Sequence, residues 1–176
     1  IAHESSWVIE NRNPGLSRRE IGDRLLRAYG ADRIIWAGGL AGEDITDYHI
    51  DSLARFTPSG RILIQLPDEP DPNDPFHMAA LETYHVLRAA GLSLDVIPDP
   101  VSQRVQDPSF AGAYANYYVC NGAVLFSEMG DHETDQVAGD ALRAAYPGRE
   151  IVALNTDALG WIGGGIHCAT QQIPAA

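Results

Sequence analysis

A chain of 176 residues, 45% hydrophobic and 20% charged, has the size and composition of one soluble globular domain able to bury roughly 70% of its unfolded surface. Its formal net charge of −12, with arginine as the only strong base, sets the surface against nucleic acid and anionic lipid. No apolar run approaches the roughly 20 residues that span a bilayer and no signal-peptide pattern is present. Cys120 and Cys168, the two cysteines, are therefore expected reduced, in a cytoplasmic protein.

The chain starts at Ile1, which suggests a processed, cut or renumbered start. Residues 5–10 read as a short strand, and Asn11-Arg12-Asn13-Pro14-Gly15 as a turn. Ser17-Arg18-Arg19-Glu20 has capping-box spacing and opens a helix. Its apolar face is Ile21, Leu25, Leu26 and Tyr29, and Gly30 closes it. A buried-type strand is predicted over 33–37. One extended strand follows over 45–56, then the turn Thr57-Pro58-Ser59-Gly60 and a strand over 61–66. A Pro/Asp-rich loop over 67–75 leads to a helix over 76–90 and a strand over 94–97.

The same order recurs. A strand over 114–120 meets the hairpin signal Asn121-Gly122, and a return strand covers 123–126. A helix over 134–146 and a strand over 150–154 complete the unit. Residues 161–173 read as the start of another hairpin-like unit. Two strand–strand–helix–strand units with a partial unit on either side suggest an array that closes on itself. Standing alone, its open edges would invite aggregation.

Alternate side chains of a strand share a face, so Asp47, His49 and Asp51 are expected together, with Tyr48 and Ile50 opposite. Such a set suits an imidazole moving protons beside carboxylates that bind a cation; a solvated face with a surface ion pair is the alternative. In Gly163-Gly164-Gly165-Ile166-His167-Cys168-Ala169-Thr170-Gln171-Gln172-Ile173-Pro174 a thiol follows three glycines, which let backbone approach a ligand closely. An ordinary thiol is only about 3% thiolate at neutral pH, so a nucleophilic Cys168 needs nearby positive charge. A small buried hydrophobe is the alternative. On an extended segment His167 faces away from Cys168 and reads as structural. Asn116, among aromatics, either orients a polar ligand or satisfies a neighbouring backbone group. Cys120 reads as core, and His3 and His132 as surface. His77 and His85 lack the spacing of a metal pair, and the acidic loop 67–75 lacks that of a calcium site. Phosphate-loop, dinucleotide, zinc and basic nucleic-acid motifs are missing from the sequence.

Asn11-Arg12-Asn13-Pro14, Thr46-Asp47-x-His49-Ile50-Asp51, Tyr114-x-Asn116, Asn121-Gly122 and the Gly163-to-Pro174 motif, in this order, resemble the agmatine deiminase family and the related bacterial peptidylarginine deiminases. The resemblance runs over essentially the whole chain. It implies an α/β fold of pentein type, a propeller of five strand–strand–helix–strand blades around a central active site. About half of that propeller would be present, with residues 1–176 a single domain and the C-terminal part of the catalytic domain. It further implies hydrolysis of a small cationic guanidino substrate without metal or organic cofactor. Agmatine, giving N-carbamoylputrescine and ammonia in polyamine metabolism, is the default, and peptidyl-arginine or another guanidino compound the alternative.

The family's thiol nucleophile maps onto Cys168, its catalytic histidine onto His49 and a guanidinium-binding carboxylate onto Asp51. Asp47, Asn116, Gly163, Gly164 and Gly165 match substrate-site positions. Family members are longer and draw another guanidinium-binding acid from an N-terminal half. The implied partner is therefore that half or a second chain, with a homo-oligomer also compatible. Tyr48 stands where the family usually has Gly, Ser52 where it often has Asn, and Gly165 where a polar residue usually precedes Ile-His-Cys. A non-catalytic fragment acting as an assembly partner is the rival role. An unrelated amide-cleaving cysteine hydrolase would call for a base near a helix-borne cysteine, which the sequence does not display.

Overall fold

In the computed structural model, described for residues 1–107 and 109–173, the chain forms two compact units. Pro174, at the end of the glycine–cysteine motif, lies outside the described residues.

The first unit comprises Ile1–Ile50 and Asp71–Leu92. Strands β1 (Ala2–His3) and β2 (Trp36–Ala37) pair in parallel, Ala2 opposite Trp36. The strand predicted over 5–10 is replaced by the helical turn α1 (Glu4–Trp7). Its serines do not join a ladder: Ser6 Oγ bonds locally to His3 O at 3.3 Å, and Ser5 Oγ donates to the distant Asp47 O at 2.7 Å. Helix α2 (Arg18–Tyr29) carries the predicted capping box, Glu20 N donating to Ser17 Oγ and Ser17 N to Glu20 Oε2, and Gly30 ends it in the left-handed region at φ 60°. Of its apolar face Ile21 is buried, whereas Tyr29 is 76% exposed. Strand β2 takes only two of the five residues predicted over 33–37. Helix α3 (Pro75–Ala89) starts at Asp74, whose Oδ1 accepts from Phe76 N at 2.8 Å and His77 N at 3.3 Å.

His3, expected at the surface, is fully buried. Its Nδ1 lies 2.6 Å from Tyr48 O and its Nε2 3.1 Å from Thr83 Oγ1, so two hydrogen bonds replace lost water. Burial holds the imidazole below its ordinary pKa, and because a carbonyl only accepts, Nδ1 carries the proton.

The strand predicted over 45–56 fails in its first half. Asp44 Oδ1 accepts from Thr46 N at 2.7 Å, Thr46 Oγ1 at 2.8 Å and Tyr48 N at 3.1 Å, which turns the chain. Asp47 and Tyr48 then take φ 58° and 59°, and Ile50–Ser52 form a 3-10 turn. Asp47, His49 and Asp51 therefore do not alternate along a strand. Left-handed backbone costs a non-glycine residue roughly 1–2 kcal/mol. The buried Tyr48 ring offsets it, packing 5.0 Å from His3 and edge-on 5.2 Å from Phe76 between centroids.

The second unit comprises Asp51–Pro70 and the chain from Ser93 onward. One sheet has the order β3 (Ala54–Phe56), β4 (Ile62–Leu66), β5 (Leu94–Pro98), antiparallel between β3 and β4 and parallel between β4 and β5. The other repeats this with β6 (Tyr118–Cys120), β7 (Ala123–Ser127) and β8 (Glu150–Leu154). Cys120 stands opposite Ala123 across the predicted Asn121-Gly122 turn, where Gly122 takes φ 84°. Parallel neighbours need crossovers. Helix α4 (His132–Ala145) makes the one between β7 and β8, and α3 lies between β4 and β5 in the chain. The strand–strand–helix–strand order thus occurs twice, as predicted.

Leu63 and Ile97 of one sheet and Val124 and Phe126 of the other share a single core with Leu142 of α4 and Tyr114, Tyr117 and Tyr146. The Tyr117 and Tyr146 hydroxyls meet at 2.9 Å, so the buried rings keep their polar ends paired. Residues 114–117 turn inside this core, and β6 begins at Tyr118 instead of Tyr114. The hairpin predicted over 161–173 is also absent. Helix α5 (Asp157–Gly160) runs into successive turns, with Gly163 at φ 85° and Ala169 N donating to Gly165 O at 3.2 Å.

Truncating the fully buried Leu142 to alanine is expected to cost about 2–5 kcal/mol, read as a lowered urea midpoint. Tyr48→Gly removes one strained residue yet is expected to lose about 2 kcal/mol net, because ring burial outweighs left-handed strain. A raised urea midpoint in that variant would refute this.

Candidate active site

Four side chains meet in the second unit: Asp51 from the 3-10 turn, Asn116 from the buried turn before β6, and His167 and Cys168 from the turns after α5. Asn116 is 2% exposed and lies at the centre. Its Nδ2 donates to Asp51 Oδ2 at 3.0 Å and to Cys168 Sγ at 3.2 Å, using both amide hydrogens. Asn116 Oδ1 accepts from Cys168 N at 3.3 Å, and its main-chain oxygen from His167 N at 3.1 Å. His167 Nδ1 stands 2.6 Å from Asp51 Oδ2, and Cys168 Sγ 3.6 Å from the same oxygen.

Both flanks of Asn116 are pinned. Buried Gln65 of β4 accepts from Ala115 N at 3.0 Å and donates to Asp99 Oδ1 at 2.6 Å. Arg55 of β3 lies 4.5 Å over the Tyr117 ring and donates to Tyr117 O. The glycines before the thiol admit this packing. A Cβ on Gly165 would fall 2.6 Å from Asn116 Oδ1, and one on Gly164 would fall 2.8 Å from Cys168 Cβ.

Cys168 as a residue is exposed, but its sulfur is crowded. Lost hydration around Sγ and then the Asp51 carboxylate push the thiol above its ordinary pKa, against the lowering donors Gly165 N and Asn116 Nδ2. At neutral pH the sulfur is therefore a thiol, and it points its proton at Asp51. A cation placed against that carboxylate would offset the carboxylate's part of this shift.

Of the other sequence candidates, His49 and Asp47 belong to the first unit. His49 is half-buried, its N donating to Thr46 Oγ1 at 3.3 Å. Asp47 Oδ1 accepts from Gly42 N at 2.9 Å and shapes the same loop. His167 was expected to be structural, turned away from the thiol on an extended segment. The helical-type turn instead brings it and Cys168 to the same carboxylate oxygen. Gln65 was missed, although one amide inside Ile-Leu-Ile-Gln-Leu was a visible signal of a buried polar duty. Among the described residues no group of three or more His, Cys, Asp or Glu is arranged to hold a metal ion. Among those same residues no helix is long and apolar enough to cross a membrane.

The sequence profile of the family described as Porphyromonas-type peptidyl-arginine deiminase matches residues 1–174. Agmatine deiminase of Medicago truncatula is 31% identical over 99% of this chain and 53% of its own length. Among solved structures, an agmatine deiminase of Enterococcus faecalis catalysing its reaction superposes with a TM-score of 0.86 at 26% identity, over 98% of this chain and 53% of that one. A substrate-bound agmatine deiminase of C. jejuni gives 0.85 at 26% identity, over 96% and 50%. The chain thus spans about half the length of the curated relatives it matches.

The raised thiol makes a direct prediction. Iodoacetamide alkylation of Cys168 is expected to rise with pH through a midpoint above that of an ordinary thiol. Removing the neighbouring negative charge with Asp51→Asn favours the thiolate, so the midpoint falls. An unchanged or higher midpoint in that variant would rule out the carboxylate as a cause.

Proposed function

The chain belongs to the Porphyromonas-type peptidyl-arginine deiminase family, and on that footing we propose that it supplies the thiol side of a guanidine deiminase site. The observation that carries this reading is one cluster in which Asn116 ties the Cys168 sulfur to the Asp51 carboxylate. Agmatine is the proposed substrate, supported by the relatives named agmatine deiminase, with N-carbamoylputrescine and ammonia as products. The fold proposed for the whole is the pentein propeller, supported by the twice-repeated strand–strand–helix–strand order.

A guanidinium carbon is a poor electrophile because its charge is spread over three nitrogens. Asp51 fixes the cation through paired, charge-assisted hydrogen bonds, and the cation offsets the carboxylate's part in holding the thiol protonated. Cys168 gives its proton to surrounding water as the cation binds, and the thiolate attacks the central carbon, forming a C–S bond and a tetrahedral adduct. His49 gives a proton to the departing nitrogen as the C–N bond breaks, releasing ammonia and leaving a thiouronium. The same imidazole takes a proton from water as it adds to the thiouronium carbon. Cleavage of the C–S bond then returns the thiolate and the ureido product. In this reading Asp47 acts by shaping the loop that carries His49, and Gly163, Gly164 and Gly165 by letting thiol and amide come close.

The test is ammonia release by the intact gene product from agmatine, with free arginine and an arginyl peptide as comparators. Cys168→Ala is expected to abolish it. Undiminished turnover in that variant, or turnover of none of the three compounds by the wild type, would sink the proposal.

A further inference from the structure

We infer that His167 is a positioning residue for guanidinium recognition, holding the plane of the Asp51 carboxylate so that it meets a planar cation squarely. The inference rests on the reading of Asp51 as the group that receives the guanidinium. An ionised carboxylate only accepts, so the 2.6 Å contact places a proton on His167 Nδ1. Asn116 Nδ2 supplies the second donor to the same oxygen at 3.0 Å. An sp² oxygen receives hydrogens near its own plane, so two donors on Oδ2 fix the carboxylate's rotation about its Cβ–Cγ bond. Cys168 Sγ, 3.6 Å from the same oxygen, is a weaker donor, so the 2.6 Å contact to His167 is the shortest of the three that orient the group. Paired hydrogen bonds to a guanidinium need the two groups nearly coplanar, so rotation is the freedom that recognition can least tolerate.

His167 itself is held for this task. Its N donates to Asn116 O at 3.1 Å, so the residue that supplies the second donor also anchors the backbone of the first. Thr170 Oγ1 closes the turn on Ile166 O at 2.8 Å. The imidazole is half-buried at 30% exposure, beside an Asp51 side chain at 21%. Each side of the clamp thus comes from a different stretch of chain, and Asn116 joins them.

The experiment compares two alkylating reagents on the intact gene product. Chloroacetamidine is cationic and planar at its amidine and needs the carboxylate; iodoacetamide is neutral and does not. In both, the Cys168 thiolate attacks the methylene carbon, a C–S bond forms and halide leaves. The ratio of the two rates cancels any change in thiolate fraction or folded fraction, so misfolding does not mimic the effect. His167→Leu is expected to lower the chloroacetamidine-to-iodoacetamide ratio about 10- to 100-fold. His167→Asn keeps an N–H near the Nδ1 position and is expected to recover most of that ratio. In an Asp51→Asn background His167→Leu is expected to change the ratio no further.

Equal loss of both rates in His167→Leu, no recovery with asparagine, or an added loss in the Asp51→Asn background would overturn the inference. Turnover is read separately. A protein that prefers the amidine through His167 and Asp51 but releases no ammonia keeps this inference and refutes the proposed reaction.

Discussion

The buried amide of Asn116 is the constraint on which the site depends. Its side-chain hydrogens go to Asp51 and Cys168, its two oxygens accept from the backbone of His167 and Cys168, and its own N donates to Ala113 O. A buried amide left unmatched would cost about 1–3 kcal/mol per group, so these partners are held together by the penalty for parting. Gln65 and Arg55 pass the same constraint back into the sheet. The two glycines before Ile166 are small for Asn116 and Cys168, because any side chain there would enter their volume.

That packing creates an electrostatic opposition. A thiol and a carboxylate oxygen at 3.6 Å disfavour the thiolate, and crowding around the sulfur does so further. Under the proposed reaction, an arrangement that suppresses the thiolate is poorly suited to neutral substrates. It suits a cation, whose arrival satisfies the carboxylate and offsets that group's hold on the thiol proton. Family membership and local chemistry therefore lean the same way, although they come from independent observations.

Where local chemistry and tertiary packing agree, the fold was legible in the sequence. The Ser17–Glu20 box, the Asn121-Gly122 turn and strand Glu150–Leu154 needed no distant partner to be recognised. The stretch 45–56 misled because its apolar alternation competes with Asp44, which gathers three local donors and turns the chain before a ladder can form. The family glycine that Tyr48 replaces would have suited φ 59°, a hint of left-handed backbone that an extended reading overrode. His3 looked like a terminal surface residue because its two partners, Tyr48 and Thr83, are 45 and 80 positions away. In the site, Cys168, Asn116 and Asp51 were visible through their motifs. His167 was hidden by the assumption that residues 161–173 are extended, and only a turn brings consecutive side chains to one oxygen.

The Asp51–His167 contact joins residues 116 positions apart. Closing so wide a loop carries an entropic cost that local turns avoid, so this contact draws its stability from the core formed between its ends. The sulfur next to it then works as a built-in gauge of folding. Its surroundings exist only when the sheets, the tyrosine-lined core and the last turns are in place together. Local opening of the final turns would free the thiol from its carboxylate while the core stays closed. A gain in Cys168 reactivity would thus report local opening of these turns while the core stays closed.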